Sequence, residues 1–387
     1  MRRIKGLCCL LLLGAAGCGG FFSSQTTPVT TTGDYLYVAN SNNTFLAGFA
    51  VSSSGTLSVL SNSPYNNGVA AESLAVTPAN SFLYAGTTNG IYGYTINSDG
   101  SITVVNSGNP LAQDLVPTAM QVDSTGSYLL AVGISTTIQA QAIGIYQISS
   151  AGLLTALTGS PLALYTGNGS TATVVAPTGM LITPNNSYVY ASLGSLGVQV
   201  LTLGTGGALS TGTAATILAP LSTSTSPSDA GVASDPNSLF IFVAELNTGL
   251  REFSIGTGGS LKEVSGSPYA VGTGPTSVLL DPTGSYVYVA NKGSNNISAF
   301  TLTAASGKLT AVAGQPFASG GQLPIGMVND NSKKYVAVIN SGSNGSGGNS
   351  DVQIFKFDAT TDGKLDPVST ATTGTDPTNP RVIVASY

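Results

Sequence analysis

The stretch Asn296-Ile297-Ser298-Ala299-Phe300-Thr301-Leu302 decides the fold. An aliphatic residue is followed three positions later by an aromatic one, and two positions after that by another hydrophobic one. The same spacing, with Leu admitted at the aromatic place, returns as Leu46/Phe49/Val51, Ile91/Tyr94/Ile96, Ile143/Tyr146/Ile148, Val198/Leu201/Leu203, Leu250/Phe253/Ile255 and Val352/Phe355/Phe357. The seven copies lie roughly 45 to 55 residues apart, a period that fits β-propeller blades. A β-solenoid would need shorter repeats and tandem sandwiches longer ones.

Working outward from this stretch, each unit reads as four strands, and the quoted spacing is the third. The second strand alternates aromatic and β-branched residues, as in Tyr35-Leu36-Tyr37-Val38 and Tyr286-Val287-Tyr288-Val289. The inner strand before it often follows a proline, at Pro117, Pro177 and Pro275. Turns such as Asp281-Pro282-Thr283-Gly284 join the two, with Pro and Gly supplying the backbone angles that tight turns need. Hairpins such as Ser54-Gly55-Thr56-Leu57 and Ser306-Gly307-Lys308-Leu309 lead to the outer strand. The chain enters on a second strand near Asp34 and finishes on an inner strand, Pro380-Arg381-Val382-Ile383-Val384-Ala385. Together the two fragments make one blade. The expectation is an all-β, seven-bladed β-propeller of four-stranded blades, closed by pairing of the C-terminal inner strand with the N-terminal strands, which removes exposed sheet edges.

Of 387 residues only 7% are charged, against a usual ~25%. Trp and His are absent, so solubility rests on hydroxyls and amides. The N-terminus reads as an address: Arg2, Arg3 and Lys5, a short apolar run from Leu7 to Leu13, then Ala15-Ala16-Gly17-Cys18. It resembles a bacterial lipoprotein signal, which implies cleavage before Cys18 and a lipid on its thiol. An ordinary secretory signal is the plainer alternative. The expected organisation is a signal peptide over 1–17, a Ser/Thr/Gly-rich tether over 18–32 and the propeller over 33–387. Expected localisation is across the inner membrane, held to the cell envelope by the lipid on Cys18. Gly19 after the cysteine is compatible with outer-membrane sorting.

All three cysteines lie in the leader, so a chain starting at Cys18 has no internal disulfide. Removing Arg2, Arg3 and Lys5 leaves nine basic residues against seventeen acidic, a net charge of −8. That balance repels nucleic acid. Without histidine there is no Ser-His-Asp or Cys-His nucleophile and no His-ligated zinc. Acid–base work falls to carboxylates, Lys or Tyr. Asp358 to Asp366 faintly resembles a calcium loop, but Ser369 stands at the twelfth position and the segment reads as a hairpin. Neither a metal nor a cofactor is expected. Leu162 to Ala176 and Asn340 to Ser350 exceed the repeat and emerge on the face expected to hold the channel mouth, where binding residues usually sit. Arg251 falls where other blades have small or polar residues and reads as surface.

The strings Tyr37-Val38-Ala39-Asn40 and Tyr288-Val289-Ala290-Asn291, with Gly-Ser-Pro at 159–161 and 266–268, resemble the seven-bladed lactonase family. That family groups 6-phosphogluconolactonase-like and carboxymuconate-cyclase-like propellers, and the resemblance runs from Asp34 to Tyr387. It implies an active-site signature of Gly-Pro-Arg-His on an inner strand, then Asn-Glu-Leu after the next. Ala244-Glu245-Leu246 matches the second part, which makes Glu245 the candidate catalytic carboxylate. The place of the first part is Ser226-Pro227-Ser228-Asp229, without Arg or His. A Pro-Arg pair remains at Pro380-Arg381. Arg381, Lys292, Asn291 and Asp229 are the candidate ligand-binding residues. Two functions follow. One is a binding or scaffold module with a degenerate catalytic site, presenting its channel face to a small polyol, glycan or envelope protein. The alternative is a lactone hydrolase, with Glu245 as base and Arg381 or Lys292 steadying the oxyanion.

Overall fold

A computed structural model describes residues 33–40, 44–66, 68–165, 174, 176–210, 217–218, 229–342, 351–358, 361–372 and 380–387. The expected signal, Cys18 and the tether lie outside the described residues. Thr32–Tyr387 forms one compact unit, and every strand of the ring lies within it.

Seven antiparallel sheets are present, each running from an inner strand outward. The first blade joins Pro380–Ala385 to Tyr35–Asn40, Phe45–Val51 and Leu57–Val59, with Tyr37 opposite Val384. The two chain ends thus complete one blade, as expected. The other inner strands, in order, are Ala71–Val76, Leu115–Val122, Gly179–Ile182, Asp229–Ser234, Pro275–Leu280 and Gln322–Asn329. Each touches the next, and the last touches Pro380–Ala385, so the circuit is closed. Four blades add a short fifth strand beside the third, such as Leu162–Ala163 opposite Ile143 and Ala142. There is no α-helix among the described residues.

Turn chemistry sets the inner hairpins. Asp281 Oδ1 accepts the Ser285 and Tyr286 N–H groups at 2.7 Å each, and Oδ2 accepts that of Thr283 at 3.0 Å. Asp123, Asp235 and Asp330 repeat the arrangement, while Thr77 and Thr183 use their hydroxyls instead. Gly284 closes its turn at φ 71°, and a Cβ there would lie 2.5 Å from Pro236 Cδ.

Packing between blades supplies the core. Tyr288, Ile297 and Ala299 of the sixth blade pack on Met327, Val336 and Phe355 of the seventh. Each such large side chain, fully buried, is worth about 1.5–3 kcal/mol. A polar latch recurs at the blade seams. Tyr37, Tyr84, Tyr190 and Tyr288 donate to the carbonyls of Gly100, Gly152, Gly259 and Gly363 on the next blade's outer hairpin, at 2.8 to 3.1 Å. The aromatic of the second strand therefore fills the seam and satisfies a buried carbonyl together.

Candidate functional site

The register shows what Glu245 is. It pairs with Asp229 as Asn40 pairs with Pro380, Thr87 with Ala71, Asn291 with Pro275 and Asn340 with Pro324. Glu245 is therefore the equivalent of the asparagine that ends YVAN, on a strand end and not in a loop. All five of these strand-end residues are buried, and Glu245 is 0% exposed. Arg251 Nη1 reaches its Oε2 at 3.3 Å and Thr248 Oγ1 donates to its Oε1 at 3.0 Å.

Arg251 itself, read from the sequence as surface, is 4% exposed. Two carboxylates make its burial tolerable, since Nε and Nη2 also reach Glu263 Oε1 and Oε2 at 3.1 and 3.0 Å. The guanidinium lies 4.7 Å over the Phe253 ring. Burial alone would lower the Arg251 pKa, but Glu263 and Glu245 outweigh it and hold it above the ordinary value. Bonding from Arg251, against partial burial, holds Glu263 below the usual carboxylate range.

The same register corrects the alignment of the signature. Asp229 stands where Pro275, Pro324 and Pro380 stand, so the proline equivalent is Asp229 and not Pro227. A bulge follows the position in all four of these blades. Residues 226–228 lie outside the described set.

Arg381 follows Pro380 on the closing inner strand. Its Nη2 pairs with Glu72 Oε2 on the adjacent inner strand, the two side chains being 46% and 23% exposed. At the equivalent places Thr118 and Thr276 donate across the seam to the Pro177 and Pro324 carbonyls at 2.7 and 3.0 Å. Asn291 is buried, its Nδ2 bonded to Asn296 Oδ1 and Ser298 Oγ at 2.9 and 3.0 Å. Lys292 is exposed, in the sixth blade. Glu245 in the fifth blade and Arg381 in the first have two blades between them by the shorter way round. Glu245 thus lies opposite Asp229 and Lys292 follows Asn291, while Glu245 and Arg381 stand in separate settings, and Glu72 is a partner that sequence reading missed. An acidic residue where two other blades carry Thr118 and Thr276 was the available signal.

The inner strands also line a cavity of about 930 Å³. It lies where the turns to the second strands gather, with Pro78, Ser124, Pro184, Pro236 and Pro282 among its lining. That is the end opposite the one the sequence favoured. Residues 166–173 and 343–350, in the two long connections, lie outside the described set. The wall is largely aliphatic, with Leu181, Leu279, Val328 and Val384. Gln121 Oε1 is already engaged, accepting the Ile182 N–H at 2.8 Å.

Away from the channel, Glu252 is 0% exposed and neither carboxyl oxygen has a hydrogen bond of good geometry. Burial pushes it up to about 8, only partly offset by the Tyr269 hydroxyl nearby. It faces Phe242 across the strand pair, in the one of these seams where Phe replaces the latch tyrosine and Gly307 is the hairpin glycine. Among the described residues no group of His, Cys, Asp and Glu side chains could hold a metal ion. Lys364 closes the 358–366 hairpin on Asp358 and Asp366 at 3.0 and 2.8 Å.

Solved structures share the fold. A Bacteroides fragilis protein, described only provisionally as a 6-phosphogluconolactonase, is 16% identical, with a TM-score of 0.71 over 93% of this chain and 99% of its own. The periplasmic gluconolactonase of Pseudomonas aeruginosa is 16% identical, with a TM-score of 0.66 over 92% of this chain and 99% of its own. A Lactobacillus plantarum protein is 18% identical, with a TM-score of 0.64 over 92% and 100%. No curated protein matches the chain in sequence. The family model for the seven-bladed β-propeller lactonases matches residues 63–383. With seven closed blades and that match, the chain belongs to the lactonase family of seven-bladed β-propellers.

Proposed function

We propose that this chain is a lipid-anchored, extracytoplasmic lactonase-family propeller that binds a small polyol, glycan or envelope partner at its channel without turning it over. One observation carries this reading. The groups expected to converge on a reacting carbonyl do not, since Glu245 is sealed against Arg251 and Arg381 is paired with Glu72. A base must come within hydrogen-bond reach of the proton it takes. The cavity of about 930 Å³ fits a ligand site in size.

Lactone hydrolysis is the second reading. It draws on family membership and on Arg381 with Glu72, where a cation and a carboxylate do stand together, partly exposed. Calorimetry with a panel of polyols and short glycans separates ligand binding from turnover. Binding without release of acid supports the first reading, and release of acid from lactones that Glu72→Gln abolishes supports the second. The anchor is tested by palmitate labelling. Cys18→Ser should lose the label and move the protein from the membrane to the soluble fraction; undiminished labelling would remove the lipid from the account.

A further inference from the structure

A second cavity, of about 320 Å³, lies on the flank of the ring between the first and second blades. It is lined by Asn66, Tyr92, Tyr94 and Val104, with Gly68, Gly93 and Gly108. Tyr92 and Tyr94 are two apart on the third strand Gly90–Ile96, so they share a face, and both pack toward the first blade's core. Asn66 comes from the short strand Tyr65–Asn66, which pairs with Phe45 and Leu46. An added Cβ at Gly68 or Gly108 would meet no atom within 4 Å, so neither fills the space before it.

The polar groups here are uncommitted in a way their counterparts are not. Tyr94 is 4% exposed as a residue and lines the cavity, and its hydroxyl is not among the sealed side-chain atoms that lack a partner, so it opens on the cavity. The buried latch tyrosines, Tyr37, Tyr84, Tyr190 and Tyr288, all donate to a backbone carbonyl. A phenol hydroxyl that opens on a cavity can donate to a molecule held there. Burial, with a contribution from Tyr92, raises its pKa, so it remains an O–H donor at neutral pH. Asn66 Oδ1 accepts from Thr44 Oγ1 and the Gly68 N–H, both at 2.9 Å. That fixes the amide so that Nδ2 is left to donate outward. Val104, 52% exposed, offers an aliphatic surface beside them. Among the described residues no charged side chain lines the cavity.

Hydroxyl and amide groups beside an aliphatic wall, without charge and in a volume near the lower bound for ligand pockets, suit a small neutral ring that is polar at its edge and apolar on its face. We propose that this cavity is a carbohydrate subsite for one neutral hexopyranose unit of a glycan. The Tyr92 and Tyr94 hydroxyls and Asn66 Nδ2 bond the sugar hydroxyls, and Val104 meets its C–H face. The subsite is distinct from the channel and stands whether or not the channel reading does.

The test uses residues 32–387 labelled with nitrogen-15 and the methyl glycosides of glucose, galactose, mannose and N-acetylglucosamine as probes. At least one glycoside should move the amide signals of Gly68, Gly93 and Gly108 in a saturable way. Tyr94→Phe should weaken that binding about five- to tenfold, the equivalent of one neutral hydrogen bond, while melting as the wild type does. Asn66→Ala, on an exposed side chain, should weaken it likewise and serves as the second variant should Tyr94→Phe fold poorly. No saturable movement with any of the four glycosides would overturn the proposal. So would movement that both variants leave unchanged, because the sugar would then be bound elsewhere.

Discussion

Residue by residue, the chemistry of this chain lies in a few buried ionisable groups. Removing Arg251 leaves Glu245 charged and sealed. Breaking a buried pair costs about 3–5 kcal/mol, so Arg251→Ala should lower unfolding stability by an amount of that order in urea. Adding Glu245→Gln should recover part of the loss, and a fully additive pair of losses would contradict the ion pair. Glu252 sets a pH dependence. Burial pushes its carboxyl up to about 8 in the folded chain from an ordinary value of 4.5, so between the two the folded state holds a proton that the unfolded state has lost. The associated stability is complete below pH 4.5 and is lost as pH rises through 8. Glu252→Gln should flatten this decline and add on the order of 2 kcal/mol at pH 8. An unchanged slope in thermal melts between pH 6 and 9 would show that Glu252 is not its source. Asp34 acts in the same sense, since partial burial and the Asp330 carboxylate push it up to about 7. Sequence reading found Glu245 but not its setting. One strand position decides whether a carboxylate faces solvent or a seam, and Arg251, opposite Val243 and two residues along the next strand from Gly249, reaches Glu245 diagonally. Arg251 was misread for the same reason, since comparison with the smaller residues of other blades cannot reveal that two glutamates lie within its reach.

At the level of strands and seams, far more was legible. Period-two aromatics, the Asp-Pro-Thr-Gly turns and the glycine hairpins gave each blade its four strands because these signals are local. The latch is a seam property that no single blade displays. Tyr288→Phe keeps the ring in the seam but leaves the Gly363 carbonyl unsatisfied, and should cost about 1–3 kcal/mol. Tyr94→Phe, one strand further out and with no such latch, should be near neutral. Equal losses in the two variants, measured by denaturant unfolding, would refute the latch.

For the whole molecule, closure of the ring was legible from the two chain ends because their fragments add up to one blade. Deleting residues 380–387 should unpair Tyr35–Asn40 and expose that edge, giving a broad early melt and self-association instead of one cooperative transition. A truncated chain that melts as the intact one does would mean that closure adds nothing. The position of the large cavity was not legible, because it depends on how seven turns converge. Function is decided at this scale as well. Family membership brings lactone hydrolysis to mind, whereas Glu245 is sealed against Arg251 and Arg381 is paired with Glu72. The most direct test follows acid release in a pH-stat from sugar and aliphatic lactones, with residues 32–387 as wild type, Glu245→Gln and Glu72→Gln. Release at the uncatalysed rate in all three proteins is expected. Turnover by the wild type that disappears in either variant would contradict the binding account and make this propeller a hydrolase that works without histidine.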